Sequence, residues 1–295
     1  MSNSLRAAYH ADQALCERVE IIENVQMAKD TFRVRFTCPE MANRITPGQF
    51  LMMRLANYDD PLIGRPLALY DTVRSDTVRS DAGAPEAIDV VYLVKGKLTS
   101  RLVNMKSGQE VEVWGPLGNG FEPRPVEHLI MVAGGIGQTP FVALAQEYLG
   151  LRRYGDPLRE VVPAKQVTLC YGARSADYLA GVADFERAGV EVRLATDDGT
   201  RGHHGLVTEL LEQVIAESKL EHRVVCCGPE PMMEAVSKIA AQHNVPCQVS
   251  LETPMACGIG VCFTCVAQVR ESEDCWDYKR TCVEGPVFDA CEIVW

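Results

Sequence analysis

The sequence predicts an α+β protein of three units: an antiparallel β-barrel, a parallel α/β nucleotide-binding domain and a small C-terminal module organised by cysteines. Three observations predict it. Short strand-like runs punctuated by turn residues fill residues 16–123, and from Glu127 the pattern changes to strand–helix alternation. The C-terminal part then carries Cys257-Gly-Ile-Gly-Val-Cys262-Phe-Thr-Cys265, with a fourth cysteine at Cys282.

In the first unit the runs Val19–Ile22, Phe32–Phe36, Phe50–Leu55, Leu67–Tyr70, Val90–Val94 and Val111–Trp114 alternate or run apolar over strand-like lengths. Pro47-Gly48, Gly64, Gly96, Ser107-Gly108 and Gly115-Pro116 separate them, and most of the gaps have no helical period. Six such strands suit a small closed barrel. Gly64-Arg65-Pro66-Leu67-Ala68 offers an arginine at a strand start beside a proline of fixed φ, a frame for a guanidinium fork on a phosphate or a flavin ring; a solvated surface arginine accounts for it equally. Lys95-Gly96-Lys97-Leu98-Thr99 reads as a helix cap that either closes the helix or receives a pyrophosphate.

The second unit opens on His128–Ala133, a continuous apolar run as expected of a strand buried on both faces. Gly134-Gly135-Ile136-Gly137 follows, then Thr139-Pro140 as an expected N-cap and N1 pair for a helix over Phe141–Leu149. Further strands are expected at Val167–Tyr171, Val190–Leu194 and Arg223–Cys227, with helices near 177–187, 206–218 and 231–243. Glycines after the first strand let a phosphate approach the backbone and a helix N-terminus, although a tight strand-to-helix turn explains them as well. Cys227-Gly228-Pro229 ends the last of these strands, which places it at the same carboxyl edge of an open sheet. Two stretches read as insertions without chemistry: 71–85, where Asp-Thr-Val-Arg-Ser repeats without change, and Arg152–Lys165.

The spacing C-x4-C-x2-C…C is that of plant-type [2Fe–2S] ligands, and Gly258 and Gly260 supply the φ > 0 positions a loop wrapping a cluster needs. Four thiolates also suit a structural Zn²⁺, but such sites favour two C-x2-C pairs and here there is one. Disulfides are disfavoured because Met1–Leu15 has no apolar signal-peptide core, so the expected setting is the reducing cytoplasm. The net charge of −11 argues against nucleic acid and anionic membrane surfaces, and no apolar run approaches the ~18 residues of a membrane span. No serine–histidine or paired-carboxylate set suggests a catalytic side chain, and His203-His204 read as loop residues rather than metal ligands.

From Cys16 to Val294 the chain resembles the family of electron-transfer subunits of NAD-dependent (class 1B) dihydroorotate dehydrogenases, within the ferredoxin reductase-like FAD/NAD superfamily. The motifs that carry the resemblance are Arg65-Pro66-Leu67, the Gly96–Thr99 turn, Gly134–Gly137, Cys227-Gly-Pro, Glu252-Thr-Pro-Met255-Ala-Cys257 and Cys282-Val-Glu-Gly285-Pro286-Val287-Phe288. The resemblance implies an FAD-binding barrel over 16–124, an NAD-binding domain over 125–246 and a [2Fe–2S] domain over 247–295. It implies FAD at Arg65, Pro66, Leu67, Ala68, Val91, Tyr92, Leu93, Leu98 and Thr99; NAD as electron acceptor at Gly134, Gly135, Gly137, Cys227, Gly228 and Pro229; and the cluster on Cys257, Cys262, Cys265 and Cys282.

It further implies a catalytic FMN-containing dihydroorotate dehydrogenase subunit as partner, in a heterotetramer serving pyrimidine biosynthesis. Ala68 stands where the family usually has Ser, and Leu98 where it usually has Gly, so the flavin loses a hydroxyl contact and the pyrophosphate loop is expected to differ in shape. An alternative keeps the cofactors with another partner: a hydrogenase, sulfur reductase or ferredoxin:NADP⁺ transhydrogenase complex. Arg174, after the second parallel strand, carries a charge that suits a 2′-phosphate and NADP, and a solvated residue accounts for it equally.

Overall fold

The computed structural model describes residues 10–74, 84–272 and 275–295. Strands β1 (Leu15–Ala28), β2 (Thr31–Thr37), β3 (Phe50–Leu55), β4 (Arg65–Arg74), β5 (Pro85–Leu93) and β6 (Glu110–Leu117) form a closed antiparallel barrel in the order β1-β2-β5-β4-β3-β6. Closure leaves no unpaired edge. Inward positions recur with period two, as Val19 and Ile21, Val34 and Phe36, Leu67 and Leu69, Ile88 and Val90, Val111 and Val113, all in one core. Two short helices, α1 (Pro39–Arg44) and α2 (Lys97–Leu102), add Met41, Ala42, Leu98 and Leu102 to that core. Arg35 forks onto the nearly buried Asp89 of the neighbouring strand, Nε to Oδ1 at 2.7 Å and Nη2 to Oδ2 at 2.9 Å. Of the repeat at 71–85, residues 75–83 lie outside the described residues; the strands it joins pair to their ends, Arg74 opposite Pro85.

The second layer is a sheet in the order β10-β9-β8-β7-β11-β12-β15. Its strands are β7 (His128–Gly134), β8 (Gln166–Ala173), β9 (Glu191–Thr196), β10 (His203–His204), β11 (His222–Cys227) and β12 (Cys247–Ser250), all parallel, with β15 (Val287–Asp289) antiparallel at one edge. On β7, Leu129, Met131 and Ala133 face helices α3 (Phe141–Tyr148) and α4 (Val182–Ala188). Ile130 and Val132 face α5 (Val207–Glu217) and α6 (Glu230–Gln242). Helices on both faces are why β7 has no polar alternation.

Several expectations change. Gly135–Gln138 form a 3-10 turn and Thr139 is already helical, so Thr139 is not an N-cap; Pro140 takes that position and α3 starts at Phe141. The helix expected over 177–187 is interrupted at Gly181, whose φ of +73° belongs to glycine and where a Cβ would meet Tyr70 Oη at 2.4 Å. His203-His204 form an edge strand beside Ala195-Thr196, and His203 pairs with Glu209 at 2.6 Å. Strand β12 falls beyond the boundary expected at 246/247 yet pairs with β11, because β11 would otherwise expose a ladder edge.

Arg152–Lys165 fastens the two layers. Asp71 of β4 receives Gln146 Nε2 at 2.9 Å, Arg152 Nη1 at 3.1 Å and Tyr154 Oη at 2.9 Å. Burial nevertheless pushes the Asp71 carboxyl above its usual range, against the pull of Arg152. Arg159 forks onto buried Glu147 and donates to the Phe121 carbonyl at 2.7 Å.

Candidate functional site

The two glycine turns meet. Strands β7 and β11 are neighbours with Ala133 opposite Cys227, so both turns leave the sheet at its carboxyl edge. A Cβ on Gly137 would lie 2.2 Å from the Cys227 carbonyl oxygen, and one on Gly134 2.6 Å from Met232 Sδ. Gly228, at φ +155°, has Gly134 N at 2.9 Å from its own Cβ position. These three glycines are required by backbone-to-backbone and turn-to-helix packing. Gly135 differs: its φ is +56° and a Cβ there would meet nothing within 4 Å, so its face of the turn is open to a ligand. Pro229 is exposed at the start of α6. Glu252, singled out above only as the first residue of the cysteine motif, is brought to this edge by the fold and accepts from Cys227 Sγ at 3.9 Å. Although the residue as a whole is exposed, desolvation at that contact raises the Glu252 carboxyl, with Lys95 opposing it; burial raises the Cys227 thiol.

The barrel residues separate into exposed or half-buried positions and core positions. Arg65 is exposed at the start of β4, its Nη1 donating to the carbonyls of Ile63 and Gly64 at 3.0 Å each. Pro66 and Ala68 are half-buried opposite Met52 and Phe50, while Leu67 is in the barrel core. On β5, Val91 packs with Ala133 and Cys227 at the junction with the sheet, and the 3-10 turn Gly135–Gln138 lies against this strand. Tyr92 points into the barrel, its hydroxyl donating to Asn24 Oδ1 at 3.0 Å; Leu93 is half-buried. Leu98 sits in a helical turn at 1 % exposure, so no positive φ is needed there. Its side chain fills the barrel, which leaves its backbone for any ligand. Thr99 Oγ1 accepts from Lys95 N at 3.0 Å and Gly96 N at 3.1 Å, as a helix cap. Gly96, like Gly135, has open space where a Cβ would be. Two cavities of about 360 and 380 Å³ lie elsewhere, around Asp71 and Arg152 and around His128 and Arg193.

The four cysteines converge two by two. Strand β13 (Val266–Ser272) begins immediately after Cys265, and β14 (Cys275–Arg280) returns with Arg280 opposite Val266. The long gap before Cys282 is thus a hairpin that sets Cys282 beside Cys265. Thiol contacts join Cys265 with Cys282 and Cys257 with Cys262. Hydrogen bonds from Thr264, from the backbone N–H groups of Thr264 and Cys257 and from the Cys257 thiol bring Cys262 down to about 6. The Cys282 thiol donates to Cys265, which also falls to about 6, while Cys282 is itself raised.

Two pairs of thiolates are the donor set of two irons bridged by sulfides.

The loop carrying them is shaped by Gly258 at φ +73°, Gly260 at +81° and Phe263 at +57°, the last a non-glycine held in a sparsely populated region. Arg280 clamps it, donating to the Gly260 carbonyl at 3.0 Å and lying 5.0 Å from the Phe263 ring centroid. A residue without any sequence signal, Trp114 of β6, donates from Nε1 to the Cys257 carbonyl at 2.9 Å. Ile259, Val261, Cys262 and Phe263 are exposed at the tip; Cys257 is half-buried, and Cys265 and Cys282 are buried.

Comparison with known proteins agrees with this geometry. The family model "Iron-sulfur cluster binding domain of dihydroorotate dehydrogenase B" matches residues 252–294, "Oxidoreductase NAD-binding domain" matches 131–238 and "Oxidoreductase FAD-binding domain" matches 18–121. The chain is 34% identical over 277 residues to the electron transfer subunit of dihydroorotate dehydrogenase B (NAD(+)) of Desulforamulus reducens, covering 94% of this chain and 97% of that one. The corresponding subunit of Caldanaerobacter subterraneus subsp. tengcongensis is 33% identical, with 94% and 98% covered. Among solved structures, an NADH-dependent reduced ferredoxin-NADP oxidoreductase superposes with a TM-score of 0.76 at 28% identity, covering 94% of this chain and 90% of the other.

Proposed function

Because this chain belongs to the family of dihydroorotate dehydrogenase B electron transfer subunits, we propose that it carries electrons from a dihydroorotate-oxidising partner to NAD, by way of a [2Fe–2S] cluster and FAD. The observation that carries this reading is the convergence of Cys257 with Cys262 and Cys265 with Cys282 on a loop fastened to the barrel. When bound, the cluster supplies one-electron transfer, and FAD supplies the exchange between single electrons and a hydride.

The chain's own residues hold and orient. Cys257, Cys262, Cys265 and Cys282 are the cluster ligands in this reading, and the exposed Cys262 side is where the partner approaches. Arg65, with no core to fill, is placed to fork onto the flavin or its phosphates, alongside the backbone of Pro66–Ala68 and Val91–Leu93. The open turn at Gly96, next to the Thr99 cap, offers backbone N–H groups to a pyrophosphate. Gly135, open and pressed against β5, admits the nicotinamide nucleotide next to the flavin strand, with Gly134, Gly137, Cys227, Gly228 and Pro229 forming the floor. No side chain here needs to act as acid or base in a bond-making step.

The partner is read as an FMN-containing catalytic subunit, assembled with this chain as a heterotetramer in the cytoplasm, where thiols stay reduced for iron. Among the described residues no helix is long and apolar enough to cross a membrane. Anaerobic purification with the partner tests the whole reading. Dihydroorotate should bleach both iron–sulfur and flavin absorption, and NAD⁺ should restore them. A partner without dihydroorotate oxidation would overturn the substrate assignment. The likeness to a ferredoxin-NADP oxidoreductase favours a second reading, a transhydrogenase subunit. Preference for NADPH over NADH, lost on Arg174→Ala, would support it.

A further inference from the structure

We infer that Trp114 is a positioning residue that locks the flavin-strand entry to the cluster loop and so sets the separation of the two redox groups; the second half rests on the flavin reading of Arg65–Ala68 given above. The indole is one rigid plane that makes both contacts. At its outer edge, the position of a Cβ on Gly64 lies 2.5 Å from Trp114 Cη2 and 3.2 Å from Cζ2, so only glycine lets the chain entering β4 lie against the ring. On the same side of the ring, two bonds from Cζ2, Nε1 donates to the Cys257 carbonyl at 2.9 Å.

The ring is half-buried and packs on the small core of Phe50, Met52, Leu117, Met255, Cys265 and Cys282. Met52, opposite Trp114 across β3 and β6, repeats the same link. It pairs with Pro66 across β3 and β4, and its Cγ lies 2.5 Å from the Cβ position of Gly258. Residues 64–66 and 257–258 therefore share two common supports, both on neighbouring barrel strands. Electron transfer between two held groups depends on their fixed separation, and supports that lock it act as positioning devices.

The test uses the full chain with its cluster. Trp114→Phe keeps a ring near Gly64 and removes the donor; Trp114→Leu removes both. Hydrogen exchange read by mass spectrometry should accelerate at 257–262 in Trp114→Phe, and at both 257–262 and 62–66 in Trp114→Leu. Transfer from pre-reduced cluster to FAD, expressed relative to NADH-driven FAD reduction in the same sample, should fall about tenfold in Trp114→Phe.

Gly64→Ala should alter the electron paramagnetic resonance spectrum of the reduced cluster in the native background and leave it unaltered on top of Trp114→Leu, a non-additivity that packing loss alone does not produce. Native exchange in both segments of Trp114→Leu, or additive effects of the two substitutions, would overturn the inference. If the native chain carries its cluster but no flavin, the flavin reading fails, and the exchange and resonance measurements still decide whether Trp114 joins the two segments.

Discussion

The carbonyl oxygen of Cys227 occupies the space next to Gly137 so closely that a Cβ on Gly137 would lie 2.2 Å from it. Two turns separated by ninety residues of chain are thereby one structure, and a methyl group added at 137 has only backbone to push against. Gly137→Ala should lower the unfolding midpoint and abolish NADH-driven reduction of FAD, measured by flavin bleaching. Gly135→Ala, with open space at its Cβ, should fold with a smaller loss, set by its φ of +56°.

Cys262 lies at the exposed end of the cluster loop. Cys262→Ser should stop dihydroorotate-driven reduction while NADH still bleaches FAD. Stopped-flow absorbance with each reductant checks this, and unchanged rates with both would take the cluster off the electron path.

Gln138 is fully buried, and neither its Oε1 nor its Nε2 has a hydrogen-bond partner. Gln138→Met keeps the shape and removes the orphaned amide, so stability should rise by about 1–3 kcal/mol. Denaturant unfolding measures it, and a loss of stability would refute the assignment of the amide as unpaired.

His128 has no solvent exposure, and burial, aided by the neighbouring His222, pulls it down from 6.5 to about 4. The unfolded chain therefore binds a proton between pH 6.5 and 4 that the folded chain refuses. Stability from this residue is complete above pH 6.5 and declines on acidification, by on the order of 3 kcal/mol at pH 4. The difference in unfolding free energy between native protein and His128→Gln should follow that course, and a difference independent of pH would refute it.

Leu98 stands in the first turn of the helix beside the Gly96 turn, and its side chain is part of the barrel core. Leu98→Gly should lose at least ~3 kcal/mol, from the vacated core and from glycine in a helix, without improving FAD affinity. Thermal unfolding and flavin titration measure the two effects separately.

Much of the architecture was legible in the chain. The unbroken run His128–Ala133 announced a strand covered on both faces, and the barrel strands declared themselves by alternation, because burial on one or two faces is a local pattern. The cysteine motif was legible for a similar reason: Cys257, Cys262 and Cys265 sit in one loop together with Gly258 and Gly260. Thr139, by contrast, looked like a cap from its identity, but Gly135–Gln138 wind tightly enough to make it helical already. The stretch 152–165 looked like an idle insertion because its partners, Asp71, Phe121 and Glu147, are distant or differently patterned in sequence.

The sequence by itself determined which chemistry this protein holds: four thiolates at a cluster spacing, two glycine turns at strand ends and an arginine at a barrel strand start. The tertiary structure alone decided how these are joined. It set Cys227 against Gly137, Glu252 against Cys227, and Trp114 between Gly64 and Cys257. The physical reason is range. Spacing and periodicity record what a residue needs from near neighbours along the chain, whereas a contact between residues far beyond one helical turn or strand pair leaves no periodic trace and exists only once the barrel and sheet have closed.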